Sequence, residues 1–168
     1  GKDMPDEIPP DLETAVAVQS VIVTWKQDDF LLHDLENIVI APGPFLSPEH
    51  PYRHSSETYR PESCMLFSAK AAMDAFVQPD QHFNVVLYEY IKATLAERYR
   101  STFPIENEEE LWGDIAEISH WSPAAIVGAV GTREVDLLSV LWCVYYTFQD
   151  RFQQILPEWA GHFREYSQ

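Results

Sequence analysis

Two histidines four residues apart, His50 and His54, sit among Glu49, Glu57 and, further on, Cys64. These are the residue types that ligate transition metals. A zinc site wants four ligands in compatible geometry, or three and a water, and an H-x-x-x-H pair in a proline-rich stretch supplies two. His50 and His54 are therefore kept as candidates, with no metal site and no cofactor expected. Metal-assisted hydrolysis by these histidines and the nearby carboxylates is the enzymatic alternative.

Other chemical signals are thinner. His33-Asp34 has the histidine-aspartate adjacency that metal-dependent phosphohydrolases use, but no histidine precedes it to complete the ligand set. Ser119-His120 lacks the glycines of a nucleophile elbow, and neighbours on a helix point in different directions. No local group lowers the pKa of Cys64 recognisably, so an inert thiol is expected. Gly128-x-x-Gly131 is too short for a phosphate-binding loop. With Cys143 in the most apolar stretch, both cysteines read as reduced thiols of a cytoplasmic protein, and no leader with a cleavage site is visible at Gly1.

Charge carries the strongest signal. The chain has 27 acidic and 11 basic residues, a formal net charge of -16, so binding to phosphate backbones or anionic lipid is disfavoured. Acids concentrate at Asp28, Asp29, Asp34 and Glu36, and again at Glu106, Glu108, Glu109, Glu110, Asp114 and Glu117. The bland meaning of such runs is a solvated helix face. The sharper one is a surface for a basic partner, and Trp112 within the second run adds an aromatic of the kind that dominates binding hot spots. The leading expectation is a non-enzymatic interaction protein, of the inhibitor, immunity or adaptor kind, that binds a basic protein through Glu106, Glu108, Glu109, Glu110, Asp114, Glu117 and Trp112. Mimicry of nucleic-acid charge is one version of it. A homo-oligomeric structural subunit is a further alternative.

The elements that must position these residues read as helices. Residues 1–10 combine prolines and charges without periodicity and are expected to be a flexible tail; 11–168 form one helical domain with a proline-rich loop at 41–62. From Asp11, taken as a cap, Leu12, Ala15, Val18, Ile22 and Trp25 make a helical stripe, although the β-branched run Val21-Ile22-Val23-Thr24 also suits a strand. Phe30 to Ile40 mixes both patterns. Ser63 to Gln78 predicts a helix with Met65, Leu66, Ala69, Ala72, Met73 and Phe76 inward, and His82 to Arg100 another, capped by Asp80. Asn107 with Glu110 matches a capping box, and Ser122-Pro123 opens a helix that Gly131 closes.

Thr132 to Leu156 is the best-specified element, one helix with Thr132 as its N-cap and an apolar centre from Leu137 to Phe148. That centre falls short of the roughly 20 residues a bilayer span requires. The fold expected is an all-α, irregular bundle of six to eight helices around this segment, with an α+β arrangement carrying one or two strands in the first 40 residues as the alternative.

Overall fold

A computed structural model of the chain describes residues 8–25, 34–132 and 134–166. The first helix, α1 (Pro10–Thr24), opens with proline at its first position, where a missing N–H costs nothing, and carries Asp11 and Glu13 in its first turn. Asp11 thus lies inside the helix, and Pro9 stands at the cap position. The helix buries Leu12, Ala15, Val16, Gln19 and Val23, and leaves Ile22 and Trp25 exposed.

A three-stranded sheet follows, which the all-α expectation lacked: β1 (Asn37–Ala41), β2 (Ser56–Tyr59) and β3 (Cys64–Ser68), in the order β1-β3-β2. β1 runs parallel to β3, pairing Asn37 with Cys64, and β2 runs antiparallel, pairing Ser56 with Phe67. Only β1 touches the first 40 residues. β2 lies inside the stretch taken for a loop, and β3 occupies the start of the helix predicted from Ser63. The reason is periodicity's blind spot: a central strand is covered on both faces, so Cys-Met-Leu-Phe reads as unbroken apolar sequence that suits a helix equally well. The helix itself, α2 (Ala69–Val77), begins where Ser68 accepts a hydrogen bond from the Ala71 amide.

Next comes α3 (Val85–Ile91), capped by Asn84, whose side chain accepts from the Leu87 amide; Asp80 lies in the preceding turn. Every residue of α3 is buried. Its continuation widens into a π-helical segment, Lys92–Ala96, and ends in the single turn α4 (Glu97–Tyr99).

The acidic helix α5 (Glu108–Ser119) starts at the predicted cap, with Asn107 accepting from the Glu110 amide, while the Glu110 carboxylate takes its 2.9 Å bond from the Asn107 side chain. α6 (Pro123–Val130) starts at Ser122 and stops at Gly131, again as its sequence indicates.

The segment from Thr132 to Leu156 is central but not one helix. α7 (Leu137–Thr147) is capped by Asp136, not Thr132, and breaks at Phe148, after which α8 (Gln149–Ile155) and α9 (Pro157–Tyr166) follow. Residues Leu137 through Tyr145 are all buried, and the Trp142 ring stacks on Phe163 of α9 at 3.8 Å between centroids. α7 also packs on α3 and α5. The break lets the chain fold back so that α9 closes over the face of α7. No helix of the described residues is long and apolar enough to cross a membrane.

One backbone contact fixes where the sheet meets α6. Gly131 sits at φ +88°, and a Cβ there would lie 2.4 Å from the Cα of His54, while the Ser55 amide donates to the Val130 carbonyl at 2.9 Å. Glycine serves here for both its left-handed conformation and its lack of side chain. Gly131→Ala is expected to cost about 2 to 3 kcal/mol, read as a lower midpoint in urea unfolding, with no loss from the same change at Gly113, around which there is open space.

Candidate functional site

The His50 and His54 segment, thought to be loop, is tied down on three sides. Phe45 and His54 exchange backbone hydrogen bonds, the Phe45 ring meets His54 edge-on at 4.4 Å, and Gly131 closes from the third. His54 is consequently buried. Its Nδ1 faces the Tyr52 carbonyl at 3.0 Å and its Nε2 faces Oε2 of Glu57 at 2.9 Å. A carbonyl only accepts, so Nδ1 carries a proton. His54 and Glu57 thus form a buried pair.

Glu57, on β2, is 5 % exposed, and its other oxygen, Oε1, receives no hydrogen bond from any described protein group; Nε2 of His50 stands 3.9 Å away, beyond bonding distance. The residues flanking Glu57 on β2 turn to α3, as the two-residue strand period dictates. There Ser56 donates to one oxygen of Glu89 at 3.0 Å and Thr58 to the other at 2.8 Å. Glu89 is 1 % exposed, and its nearest cation is the Lys92 ammonium, one helical turn on, at 3.5 Å. Glu57, His54, Glu89 and Lys92, with the exposed Glu49 and Glu134, line a cavity of about 150 Å³.

Sequence reasoning found half of this site. His50, His54 and Glu57 do come together, but Glu89 and its two hydroxyl donors were passed over. The signal was a single acid inside VVLYEYI, an otherwise apolar run. Among the described residues no group of three or more histidine, cysteine or acidic side chains is arranged to hold a metal ion. Both nitrogens of His54 are already engaged. Cys64 and Cys143 are free thiols, buried, and burial pushes both up, with Glu62 next in effect for Cys64 and Glu89 for Cys143, so neither is poised as a nucleophile. Ser119 bonds to the Ile115 carbonyl and the Trp121 amide, while His120 caps α5 in a left-handed conformation and contacts Arg151; the two do not pair. His33 lies outside the described residues, as do Asp28 and Asp29.

The acidic helix divides its residues between two surfaces. Glu106, Glu110 and Asp114 line a groove of about 530 Å³, with Ile155, Leu156 and Trp159 on the opposite wall. Trp112 and Glu108 face a separate hollow of about 340 Å³ beside Phe103 and Asp136. Glu109 and Glu117 are exposed and line neither. Of the seven predicted contact residues, three thus line the groove and two the hollow. In the groove, partial burial pushes the Asp114 carboxyl above its ordinary range, and the negative charges of Glu110 and Glu117 add to it.

The architecture these observations define is a predominantly helical α+β protein with a small mixed sheet and a buried acid-histidine cluster at its edge. No family model, curated protein or solved structure matches the chain.

Glu89→Ala is expected to lower stability by about 2 to 3 kcal/mol, because it strands the hydroxyls of Ser56 and Thr58 in a buried setting. Glu89→Gln, which keeps an acceptor for one of them, loses less. Urea unfolding of the two variants makes the comparison, and a glutamine variant as stable as the parent would assign the alanine loss to packing alone.

Proposed function

We propose that the protein is a non-enzymatic interaction module that binds a basic partner through the groove between α5 and α9. The observation that carries this reading is the placement of Asp114. Its carboxyl is partly desolvated, repelled by two neighbouring acids, and shares the groove with Ile155, Leu156 and Trp159. A lysine or arginine side chain answers each feature, with its methylene stem against Ile155 and Leu156 and its charge among the carboxylates. The Trp159 ring is a further site of attraction for a cation. A protein of net charge -16 also draws basic partners over distances of a Debye length, which speeds encounter at low salt. Mimicry of nucleic-acid charge is the finer version, and it requires that DNA compete for the same partner.

A lysine- and arginine-rich peptide titrated onto the protein tests the groove. Affinity is expected to fall by roughly tenfold or more between 50 and 300 mM salt, and again by about tenfold in the Glu110→Lys variant. Asp80→Lys changes the net charge equally on an exposed turn away from the groove and is expected to leave affinity nearly intact. Equal losses in the two variants, or binding indifferent to salt, would refute the assignment. Tight self-association in light scattering, abolished by Glu110→Lys, would instead make the groove a contact between copies.

The same residue gives a stability signature. A carboxyl whose folded pKa lies above its unfolded value binds more protons in the fold, so stability declines as pH rises through that window. Asp114→Asn removes the ionised group. The variant is therefore expected to melt at a higher temperature at neutral pH, with the gain shrinking as pH falls to the ordinary aspartate range, while its affinity for the basic peptide drops. A variant less stable at neutral pH than the parent would show that Asp114 is already compensated.

A further inference from the structure

We infer that the outer edge of β1 is the contact between two copies of this chain, pairing antiparallel about Val39 and joining the two three-stranded sheets into one. β1 is an edge strand, paired with β3 alone. Its Asn37 amide donates to the Ser63 carbonyl on the β3 side. Backbone groups alternate along a strand, so the N–H and C=O of Ile38 and Ile40 point outward, away from β3. No described residue bonds to them from that side. The devices that natural sheets use to blunt an edge, a charge, a proline or a bulge, are missing from Ile38 to Ala41, and Ile38 and Val39 are each 46 % exposed.

The free edge is short, and its limits select the register. Upstream, the Glu36 amide is already committed to Ser63 at 2.8 Å; downstream, Pro42 has no N–H. Ile38 and Ile40 are what remains. A second β1, running antiparallel with Val39 on the two-fold axis, answers both: the Ile38 of each copy exchanges its N–H and C=O bonds with the Ile40 of the other. A shift of two residues either way forfeits a bond, to Glu36 in one direction and to Pro42 in the other.

Charge makes the same choice. Each copy carries a formal -16, so two copies approach most readily where acids are absent, and residues 37 to 48 carry no charge at all. Beyond the last rung, the same register sets Glu36 of one copy beside the bend from Pro42 to Pro44 of the other. There the exposed Arg53 guanidinium is held by the Pro44 carbonyl at 2.8 Å, and neither Arg53 nor Glu36 has an ion pair among the described residues. The axis supplies that meeting of opposite charges twice.

The experiment uses the full chain at about 100 μM and about 0.15 M salt. Sedimentation equilibrium is expected to show a dimer that dissociates on dilution. Val39→Lys sets two ammonium groups against each other on the axis and is expected to give a monomer with an unchanged far-ultraviolet spectrum. Should that variant fail to fold, Val39→Cys decides the matter. Across a non-hydrogen-bonded antiparallel pair the Cα atoms stand about 4.5 Å apart, within disulfide reach, so mild oxidation is expected to link two copies. Val77→Cys, at the more exposed end of α2, is expected to link about tenfold more slowly, and the native Cys64 and Cys143 are buried. Arg53→Glu is expected to weaken the dimer several-fold. A monomeric parent at this concentration would overturn the proposal, as would equal cross-linking at the two cysteine positions or parental association in Arg53→Glu. A dimer that survives Val39→Lys but not Glu110→Lys would place the contact in the groove between α5 and α9 and overturn it equally. Since the groove and the β1 edge share no residue, failure here leaves the basic-partner reading to stand or fall on its own test.

Discussion

The carboxylate of Glu89 is the constraint around which the middle of the molecule is arranged. An ionised acid taken out of water costs several kcal/mol unless donors replace the solvent it loses. Ser56 and Thr58 reach it from a different element, and Lys92 from the next turn of its own helix. That requirement ties the edge strand β2 to the buried helix α3. It also explains why a strand as polar as Ser-Glu-Thr-Tyr belongs to the sheet at all: its alternate hydroxyls are the partners the acid needs. Thr58 pairs across to Met65 and Ser56 to Phe67 of β3, so the same strand that satisfies the carboxylate is anchored through the core side of the sheet.

Around this polar junction, apolar burial does the rest. α3 and α7 are each buried along nearly their whole length and lie against one another, and Tyr88 links them by accepting the backbone hydrogen bond of Asp136 at 2.9 Å. Burial, reinforced by the charge of Glu89, holds that phenol protonated far beyond its ordinary range. The phenol therefore acts as a fixed polar contact between the start of α7 and the middle of α3. Aromatic packing continues through Trp142 to Phe163, then to Phe103 and Tyr99, so the last helix is sealed by rings.

What was legible in the sequence follows from this division. Features set by local chemistry could be read directly: the cap at Asn107, proline after Ser122, glycine at 131, and the apolar centre of α7. Features decided by tertiary contact could not. β3 is indistinguishable by periodicity from a helix start, and β2 is polar because of a partner thirty-odd positions away. The break at Phe148 has no proline or glycine to announce it; the closure of α9 over α7 accompanies it. The acidic run on α5 was visible as a run, but the division of its side chains between two hollows depends on where α9 and the end of α4 come to rest. Glu89 was hidden for a simpler reason. A lone acid in an apolar stripe looks like a solvent-facing interruption until both faces of its helix are known to be covered.

The two concentrations of negative charge differ in kind, and the difference bears on what each can do. Carboxylates along the α5 groove are open to solvent on at least one side, so their attraction for a cation is weakened by salt and is felt mainly as faster encounter and orientation. Glu89 and Glu57 are desolvated, the first held by two hydroxyls and the second, through one oxygen, by a histidine between Phe45 and Gly131. Fixed, desolvated acceptors act by geometry: removing the donor of one leaves it buried and unpaired, at a cost to the fold. A surface of the first kind selects partners by charge density. Carboxylates of the second kind are committed to the β2 to α3 junction on which the fold depends.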